Sequence, residues 1–266
     1  MIPAVIPYPN IDPIIFQIGP VAIRWYALAY ITGLLLGIWY LRRLSKFVPV
    51  FMQEQDADDF LTWAVLGVIL GGRIGYILFY QLGFYLENPI YMLYVWQGGM
   101  SFHGGFLGVV VAGILFTRKR EICPLRFADA LACVSPIGLF FGRIANFING
   151  ELVGRISDVP WAMVFPNHGP YARHPSQLYE ATLEGLVLFT LVNLFWRRES
   201  FRQRPGATTG VFIAGYALAR MVGELFRQPD AQIGFLLFGS TMGQWLSLPM
   251  FLGGLYLIFR RKKAQR

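Results

Sequence analysis

The stretch "LACVSPIGLFFGRIANFINGELVGR", residues 131–155, joins an apolar run to a polar one. Its first eleven residues carry no charge, whereas the next fourteen contain two arginines, two asparagines and a glutamate. An uncharged apolar run is typical of a membrane-spanning helix, and polar groups at its end are costly in a bilayer unless they have partners or a function. The stretch therefore predicts a membrane protein with a polar site at one end of a helix.

The composition of the whole chain supports that class of protein. Of the 266 residues, 55% are hydrophobic and only 14% are charged, whereas an average soluble domain has about 25% charged residues. Seven apolar stretches approach the length of a spanning helix, and they cover 21–41, 60–80, 98–117, 127–143, 178–196, 208–226 and 243–260. The sequence thus predicts an all-α polytopic membrane protein with about seven transmembrane helices.

The chain predicts one integral-membrane domain over residues 1–266, with two distinct segments outside the helices. Residues 1–20 have four prolines before Ile14 and no Lys or Arg. They lack the basic region and cleavage site of a signal peptide, so they predict a non-helical segment at the membrane surface. Residues 149–177 are the longest polar connection and predict a small periplasmic head segment between the fourth and fifth helices.

The basic residues predict the orientation of the chain. With the N-terminus outside, sixteen of the 23 Lys and Arg residues fall in cytoplasmic segments, as the positive-inside rule requires. The net charge of +8 then needs no nucleic-acid partner. Orientation leaves seven arginines unexplained: Arg24, Arg73, Arg143, Arg155, Arg173, Arg220 and Arg227. Because arginine binds phosphate through a planar fork of donors, these residues predict a periplasm-facing cavity for an anionic headgroup.

Two motifs carry candidate residues at the ends of the third and fourth helices. "SFHGG" places His103 among glycines, where it could be a general base or a structural histidine bonded to a helix carbonyl. "GRIANFINGELVGR" places Asn146 three residues after Arg143, so the two share a face if the helix continues. Glu151 and Gly154 follow. A helix cap with an Asn-Gly turn is the structural alternative, but it does not explain Arg143 or Glu151.

Two further motifs supply carboxylates. In "RHPSQLYE", Ser176 is a candidate N-cap, and Glu180 in the first turn could pair with an arginine. In "GYALARMVGELFRQPD", one helix face carries Tyr216, Arg220, Glu224 and Arg227, at spacings of four, four and three. Arg220 and Glu224 have ion-pair spacing, and a purely structural pair is the alternative.

The remaining candidates lie in the first two helices. Tyr26, in "RWYALAY", could belong to an aromatic belt at the interface or to the site. Arg73, in "GGRIGY", is buried among glycines. The chain has no nucleophile motif and no metal-ligand spacing, and its two cysteines, Cys123 and Cys133, are expected to be inert thiols.

These motifs resemble those of the prolipoprotein diacylglyceryl transferases. "GRIANFINGELVGR" is similar to the family signature, and "SFHGG", "RHPSQLYE" and "FRQPD" match in the family's order. The resemblance covers essentially the full chain. It implies a bacterial inner-membrane protein with seven helices and a site that faces the periplasm.

The resemblance also implies a reaction. The diacylglyceryl group of phosphatidylglycerol would pass to the lipobox cysteine thiol of a prolipoprotein, giving a thioether and glycerol 1-phosphate, without metal or cofactor. The partners are then phosphatidylglycerol, prolipoprotein signal peptides and membrane lipids. The matching functional positions are Tyr26, His103, Arg143, Asn146, Gly154, Tyr216, Arg220 and Glu224. No nucleophile is needed in the chain because the substrate brings the thiol.

Roles for the candidates follow from that chemistry. Arg143 and Arg220 would bind the phosphate, and His103 would take the thiol proton. Tyr26 is the fourth catalytic candidate and would position the headgroup or the arginines. The remaining residues would bind or position the headgroup: Asn146, Glu151, Gly154, Tyr216, Glu224, Arg73 and Arg227. An anion or lipid transporter would instead predict repeated halves and a polar path through the membrane, and a purely structural subunit would leave the arginines unexplained.

The predicted orientation has a direct test. With Cys123 and Cys133 replaced, a single cysteine at position 168 should react with a membrane-impermeant maleimide added outside the inner membrane. A single cysteine at position 119 should react only after the membrane is opened. The opposite labelling pattern would reverse both the orientation and the side on which the site lies.

Overall fold

The computed structural model describes residues 6–9, 11–19, 21–229 and 234–260, and most of them are helical. Its strands and the helices of the first half are β1 Ile6–Pro7, β2 Ile14–Ile18, β3 Val21–Arg24, α1 Trp25–Leu44, α2 Glu54–Tyr80, α3 Leu82–Glu87, two 3₁₀ turns at Pro89–Leu93 and Val95–Gln97, α4 Phe102–Lys119 and α5 Pro124–Ile148. The second half has β4 Met163–Val164, α6 Ser176–Glu180, a π-helical segment Ala181–Val187, α7 Leu188–Arg197, α8 Glu199–Arg202, α9 Ala207–Gly223, a 3₁₀ turn Leu237–Gly239 and α10 Met242–Phe259.

Each of the seven predicted apolar stretches contains a long helical segment. Within the described ranges, four of these segments are long and apolar enough to cross a membrane, namely α2, α5, the continuous run Ser176–Arg197 and α10. The prediction of a polytopic helical membrane protein agrees with this finding. Seven spans and their orientation stay predictions. Asp230 of "FRQPD" and the basic residues after Arg260 lie outside the described residues.

Short strands accompany the helices, which the all-α prediction did not include. β2 and β3 pair antiparallel around a turn at Gly19, whose φ is +57°. β1 pairs parallel with β4. Proline cannot donate a backbone hydrogen bond within a helix, so the proline-rich N-terminal segment is extended. Its non-helical character agrees with the prediction for the described part of residues 1–20.

The chain divides into two compact units. One consists of Leu41–Ala128, and the other of Met1–Tyr40 together with Asp129–Arg266. The first therefore contains α2 to α4, and the second contains the arginine- and glutamate-bearing parts of α5, α6 and α9. The single-domain assignment of the sequence stays a prediction.

In the unit Leu41–Ala128, α2 and α4 cross at glycines. A Cβ added to Gly71 would lie 2.4 Å from the Gly104 carbonyl oxygen, and one added to Gly108 would lie 2.0 Å from the Gly67 carbonyl oxygen. Real Cβ atoms do not approach an oxygen this closely, so only glycine allows these two backbones to touch. Close backbone contact of this kind drives helix association in lipid, where burial of apolar surface gives little.

In the other unit, a buried carboxylate fixes the start of α9. Asp129 is 2% exposed and accepts hydrogen bonds of 2.7 Å from the backbone N–H groups of Gly206 and Thr209. Gly206 is the N-cap residue and has a left-handed φ of +89°. Glycine contacts follow along the same helix, because Gly210 packs on the Gly254 backbone of α10. The position of Arg220 depends on this anchoring of α9.

The glycine crossing generates a matched pair of substitutions in α4. Gly108→Ala should destabilise the protein, because its Cβ must displace the α2 backbone, and overpacking of this kind costs about 1–3 kcal/mol. Gly113→Ala should be neutral or stabilising, since the nearest atom to its Cβ would be 3.9 Å away and alanine favours a helix by about 0.5–1 kcal/mol over glycine. The test is the midpoint of thermal unfolding of each variant in detergent. Equal midpoints for the two variants would contradict close contact of the α2 and α4 backbones at Gly108.

Candidate active site

Helix α5 continues past its predicted end at residue 143 and stops at Ile148. Arg143 and Asn146 therefore lie in the same helix and share a face, as the spacing predicted. The end of the helix is fixed by Tyr8, whose hydroxyl donates to the carbonyls of Phe147 and Ile148 at 2.5 and 2.9 Å. Burial raises the pKa of Tyr8, so it is a neutral donor at physiological pH.

The guanidinium of Arg143 is held by two carboxylates. Its Nε and Nη2 donate to Oε2 of Glu184 at 3.0 and 2.9 Å. Its Nη1 lies 2.9 Å from Oε2 of Glu180. The arginine side chain is 15% exposed, while the two carboxylates are 1% exposed or less. The arginine is thus fixed in direction while one edge stays accessible.

Glu180 is the centre of the cluster, because three arginines converge on it. Besides Arg143, the Arg220 Nη1 donates to its Oε1 at 3.1 Å, and the Arg227 Nη1 lies 3.5 Å from the same oxygen. The expectation that Glu180 pairs with an arginine is met three times over. The Arg220–Glu224 pair predicted from spacing is also present.

The neighbouring backbone makes room for the Glu224 carboxylate. A Cβ at Gly243, near the start of α10, would lie 2.6 Å from its Oε1. A Cβ at Gly223 would lie 3.4 Å from Cγ of Glu180. Of these two positions, only at Gly243 is the space too small for a side chain, so this glycine lets α10 approach the Glu224 carboxylate closely, whereas the distance at Gly223 is an ordinary van der Waals contact.

The charges of this cluster balance. Three arginines and three glutamates form it, and with all six ionised they sum to zero. Removing charged groups from water is expensive, and mutual attraction offsets that cost only when the geometry is good. Such a cluster is therefore a weak source of stability. Its retention in an apolar chain favours a functional role.

A π-helical segment brings two of these carboxylates into place. Glu180 is its N-cap residue, and Glu184 lies inside the range Ala181–Val187. The wider π turn changes the direction of side chains relative to an α-helix, and π-helical turns occur frequently at functional sites. A Cβ at Gly185 would lie 2.7 Å from Cβ of Phe140, so the π segment packs tightly against α5.

Three tyrosines lie around the charges. Tyr216 of α9 interacts electrostatically with Glu184 and Arg143. Tyr30 of α1 interacts in the same way with Arg143, and its hydroxyl lies 3.4 Å from that of Tyr26. Tyr216 and Tyr30 thus lie close enough to Arg143 to interact with its charge. Tyr26 is linked to this group through its contact with Tyr30.

The polar residues after α5 form a hydrogen-bonded turn. Oε1 of Glu151 accepts from the side-chain amides of Asn146 at 2.8 Å and Asn149 at 3.3 Å. The Glu151 carbonyl accepts from Gln177 at 2.6 Å. Gly150 has a φ of +65°, which agrees with the predicted Asn-Gly turn. Asn146 and Glu151 therefore fix each other and the loop that follows.

Gly154 lies where three chain segments meet. Its N–H donates to the His174 carbonyl at 3.1 Å, and its backbone forms a bridge with Arg227. A Cβ here would lie 2.4 Å from the His174 oxygen. These contacts explain the glycine by packing. Arg155 also has a structural role, because its side chain donates to the carbonyls of Arg227 and Glu224.

The head segment ends in an aromatic cluster. The Tyr179 hydroxyl lies 3.1 Å from Nδ1 of His174 and accepts from Nε1 of Trp161 at 2.5 Å. Burial and the nearby Arg155 lower the pKa of His174. The imidazole is therefore neutral at pH 7, and it packs with Tyr179 against Phe226.

The N-cap prediction for Ser176 was wrong. Helix α6 begins at Ser176 itself, and Pro175 is the N-cap residue. The Ser176 hydroxyl donates instead to the Leu152 carbonyl at 3.0 Å. Ser176 is fully buried, and a buried hydroxyl needs a hydrogen-bond partner. The Leu152 carbonyl in the "GRIANFINGELVGR" loop is that partner.

The unit Leu41–Ala128 contains two other candidates. His103 is the second residue of α4 and is exposed. In the described part of the chain no hydrogen bond joins its ring to another residue, and the ring contacts Phe102. The bond to a helix carbonyl considered as its structural alternative is thus not formed. Arg73 is 5% exposed, and its guanidinium donates to backbone carbonyls of the loop before α4.

Glu184 was missed by the sequence analysis, and Glu180 was not included among the site residues. The available signal was their spacing of four within the apolar stretch 178–196. Two carboxylates on one face of a membrane helix need cationic partners. For the described residues, no group of three or more His, Cys, Asp or Glu side chains suits a metal ion.

Comparison with known proteins decides the family. The family model described as "Prolipoprotein diacylglyceryl transferase" matches residues 13–260. The chain belongs to the prolipoprotein diacylglyceryl transferase family. The resemblance of its motifs to this family is thereby confirmed, and the match extends over almost the entire chain.

Relatives in this family are similar over nearly their full length. The phosphatidylglycerol–prolipoprotein diacylglyceryl transferase of Rhodospirillum rubrum is 58% identical over 262 residues, which are 97% of this chain and 96% of the relative. Its counterpart from Paramagnetospirillum magneticum is 60% identical over 252 residues, 94% of each chain. The counterpart from Azospirillum brasilense is 56% identical over 260 residues, 97% of each chain.

The convergence of three arginines on Glu180 generates a stability test for this family member. Glu180→Gln keeps the shape of the side chain but leaves buried arginines without their shared counter-charge. Loss of one partner of a buried ion pair costs about 3–5 kcal/mol, so the midpoint of thermal unfolding in detergent should fall clearly. Glu199→Gln, at an exposed position of α8, is the matched control and should leave the midpoint nearly unchanged. Equal midpoints for the two variants would contradict the central role of Glu180.

Proposed function

We propose that the protein transfers the diacylglyceryl group of phosphatidylglycerol to the lipobox cysteine of a prolipoprotein. The thiol sulfur forms a bond to the glyceryl carbon, and the bond from that carbon to the phosphate oxygen breaks. The thiol loses its proton, and glycerol 1-phosphate leaves with the electron pair. The product is a thioether, and the reaction is the first step in bacterial lipoprotein maturation.

Family membership over almost the full chain is the observation that carries this proposal. The site gives it a physical basis. A buried cluster of arginines can bind a phosphate within an apolar chain, and no nucleophile motif is needed because the substrate provides the thiol. No repeat of the kind expected for a transporter is visible in the sequence.

Arg143 and Arg220 are the proposed phosphate ligands. Both are partly accessible, at 15% and 17% exposure of the side chain, and both are held by Glu180. An arriving phosphate would compete with the carboxylates for the outer N–H groups of the two guanidiniums. The charge on the phosphate grows as the C–O bond breaks, so fixed arginines stabilise the transition state more than the ground state.

The other residues around the cluster are proposed to hold the two arginines and the headgroup. Asn146 and Glu151 fix the turn after α5, and Glu224 pairs with Arg220. Tyr216 and Tyr26 are available as donors to the glycerol headgroup. We assign Gly154 and Arg227 to the packing and charge balance that support the site, because Gly154 packs against the His174 carbonyl and Arg227 pairs with Glu180.

His103 is the proposed acceptor of the thiol proton. A cysteine thiol with a pKa near 8.5 is only a few per cent ionised at neutral pH. An imidazole that is exposed and not bonded to the chain can approach a substrate thiol. His103 lies in the first turn of α4 with its ring exposed, so a peptide can reach it there.

We further propose that the protein crosses the bacterial inner membrane seven times with its N-terminus and site toward the periplasm. The distribution of Lys and Arg supports this orientation. In this arrangement residues 149–177 form the periplasmic head segment. Phosphatidylglycerol and prolipoprotein signal peptides would reach the site from the membrane.

The proposal is tested by transfer from labelled phosphatidylglycerol to a lipobox peptide in detergent or vesicles. The wild type should form the thioether. Arg143→Lys and Arg220→Lys keep the charge but lose the planar fork, so both should lose most of the activity while remaining folded. Arg118→Lys, at an exposed position of α4, should transfer at the wild-type rate, as should the variant with Cys123→Ala and Cys133→Ala.

The same assay tests whether His103 accepts the thiol proton. His103→Gln should slow transfer by about 10²–10⁴-fold, the usual contribution of general-base catalysis. The deficit should shrink as the pH rises toward the thiol pKa, because solution then supplies the thiolate. Absence of transfer by the wild type would overturn the reaction. Near wild-type activity of both lysine variants would overturn the phosphate assignment, and a deficit independent of pH would overturn the base.

A further inference from the structure

Arg73 is a buried arginine that binds backbone carbonyls. Its side chain donates to four of them: Nη2 to Tyr91 at 2.5 Å, Nε to Met92 at 3.0 Å, and Nη1 to Gly98 at 2.7 Å and Gly99 at 3.3 Å. In the described ranges no carboxylate pairs with it. Four of its five N–H groups are thus engaged, which leaves little for a phosphate.

These carbonyls belong to one loop with an unusual backbone. Gly98 and Gly99 have left-handed φ values of +86° and +76°. A Cβ at Gly99 would lie 2.7 Å from the ring of Tyr76 and 3.0 Å from Nη1 of Arg73. The arginine also stacks over Tyr85 at 5.1 Å. The carbonyls of both glycines accept from the guanidinium. The positive φ favours glycine at both positions, and at Gly99 a side chain would also clash with the Tyr76 ring.

The loop leads directly into the helix that carries His103. Ser101 follows two residues after Gly99, and its N–H donates to the carbonyl of Gly72, the neighbour of Arg73, at 2.9 Å. Its hydroxyl accepts from the Gly104 N–H and so caps α4. His103 lies between these two residues. The position of the imidazole therefore depends on where the loop holds Ser101.

We infer that Arg73 is a positioning residue for His103, and not a residue that binds the headgroup as its sequence suggested. By tying Tyr91–Met92 and Gly98–Gly99 together, it fixes the start of α4 and the direction of the imidazole. This inference rests on the proposed role of His103 as the base. A displacement of about 1 Å at a reacting group can cost about 10²-fold in rate, so a remote tether of this kind matters to turnover.

Lysine cannot replace this arginine. Its three donors diverge from one nitrogen, whereas the contacts of Arg73 come from three nitrogens of a planar group. Arg73→Lys should therefore behave like Arg73→Met in turnover, although it keeps the charge. A residue that only balanced charge would be rescued by lysine.

A double-mutant cycle separates positioning from substrate binding. The values of kcat and KM for transfer would be measured for the wild type, Arg73→Met, His103→Gln and the double variant. Arg73→Met should lower kcat by about 10²-fold and change KM for phosphatidylglycerol much less. In the His103→Gln background the same change should cost only a few-fold, because two residues that act through one group are not additive. Arg118→Met is the matched control and should keep wild-type values.

Hydrogen exchange supplies a readout that does not require activity. Amides of Ser101 and Gly104 should exchange faster in Arg73→Met and Arg73→Lys than in the wild type. They should exchange at the wild-type rate in Arg118→Met. Unchanged exchange in both Arg73 variants would overturn the inference, even if His103 is the base.

The outcomes for the two proposals differ. If His103→Gln is slow but Arg73→Met costs the same factor in both backgrounds, positioning is overturned and the proposed function stands. A large rise in KM for phosphatidylglycerol without a fall in kcat would overturn positioning and support the earlier expectation that Arg73 binds the headgroup. If the wild type shows no transfer, the proposed function is overturned, and exchange at Ser101 and Gly104 still decides whether Arg73 fixes the loop.

Discussion

The charged interior of this protein depends on the ion pairs that the Glu180 carboxylate forms. An apolar chain cannot keep isolated charges away from water, and a buried arginine needs a counter-charge or several hydrogen-bond acceptors at short range. Glu180 supplies it to three arginines that come from different parts of the sequence, Arg143, Arg220 and Arg227. Glu184 and Glu224 complete the balance. The packing of α5, α6 and α9 brings these groups together, and Gly243 at the start of α10 leaves room for the Glu224 carboxylate.

The charge balance also bears on the proposed phosphate site. The carboxylates already orient Arg143 and Arg220, so the proposed binding of a phosphate at their accessible edges would need little reorganisation, and preorganisation of this kind is the main electrostatic contribution in many enzymes. In the unit Leu41–Ala128, backbone dipoles and not carboxylates compensate the charge of a buried arginine. There Arg73 is satisfied by backbone carbonyls of the loop before α4. Arginines of similar appearance in the sequence thus have different partners, carboxylates for Arg143 and backbone carbonyls for Arg73.

The sequence by itself determined the class of protein, the approximate helices and the family. The length of an apolar stretch and the residues of a short motif can be read from neighbouring positions in the sequence. Motifs such as "SFHGG" with His103 and "GRIANFINGELVGR" with Arg143 can therefore be recognised without a structure. Spacing along one helix was also sufficient for the Arg220–Glu224 pair, because residues four apart on a helix are neighbours whatever surrounds them.

Only the tertiary structure decided which partners these residues have. The pairing of Arg143 with Glu180 and Glu184 joins α5 to a π-helical segment about forty positions later, and local propensity contains no signal for a π turn or for contacts at that distance. Arg73 was expected to bind or position the headgroup, and in the structure its donors bind the carbonyls of the loop before α4. Ser176 was expected to cap a helix and bonds to Leu152 instead. In each case the sequence supplied the donor or acceptor, and packing selected the partner, because a buried polar group bonds to whatever the fold brings within reach.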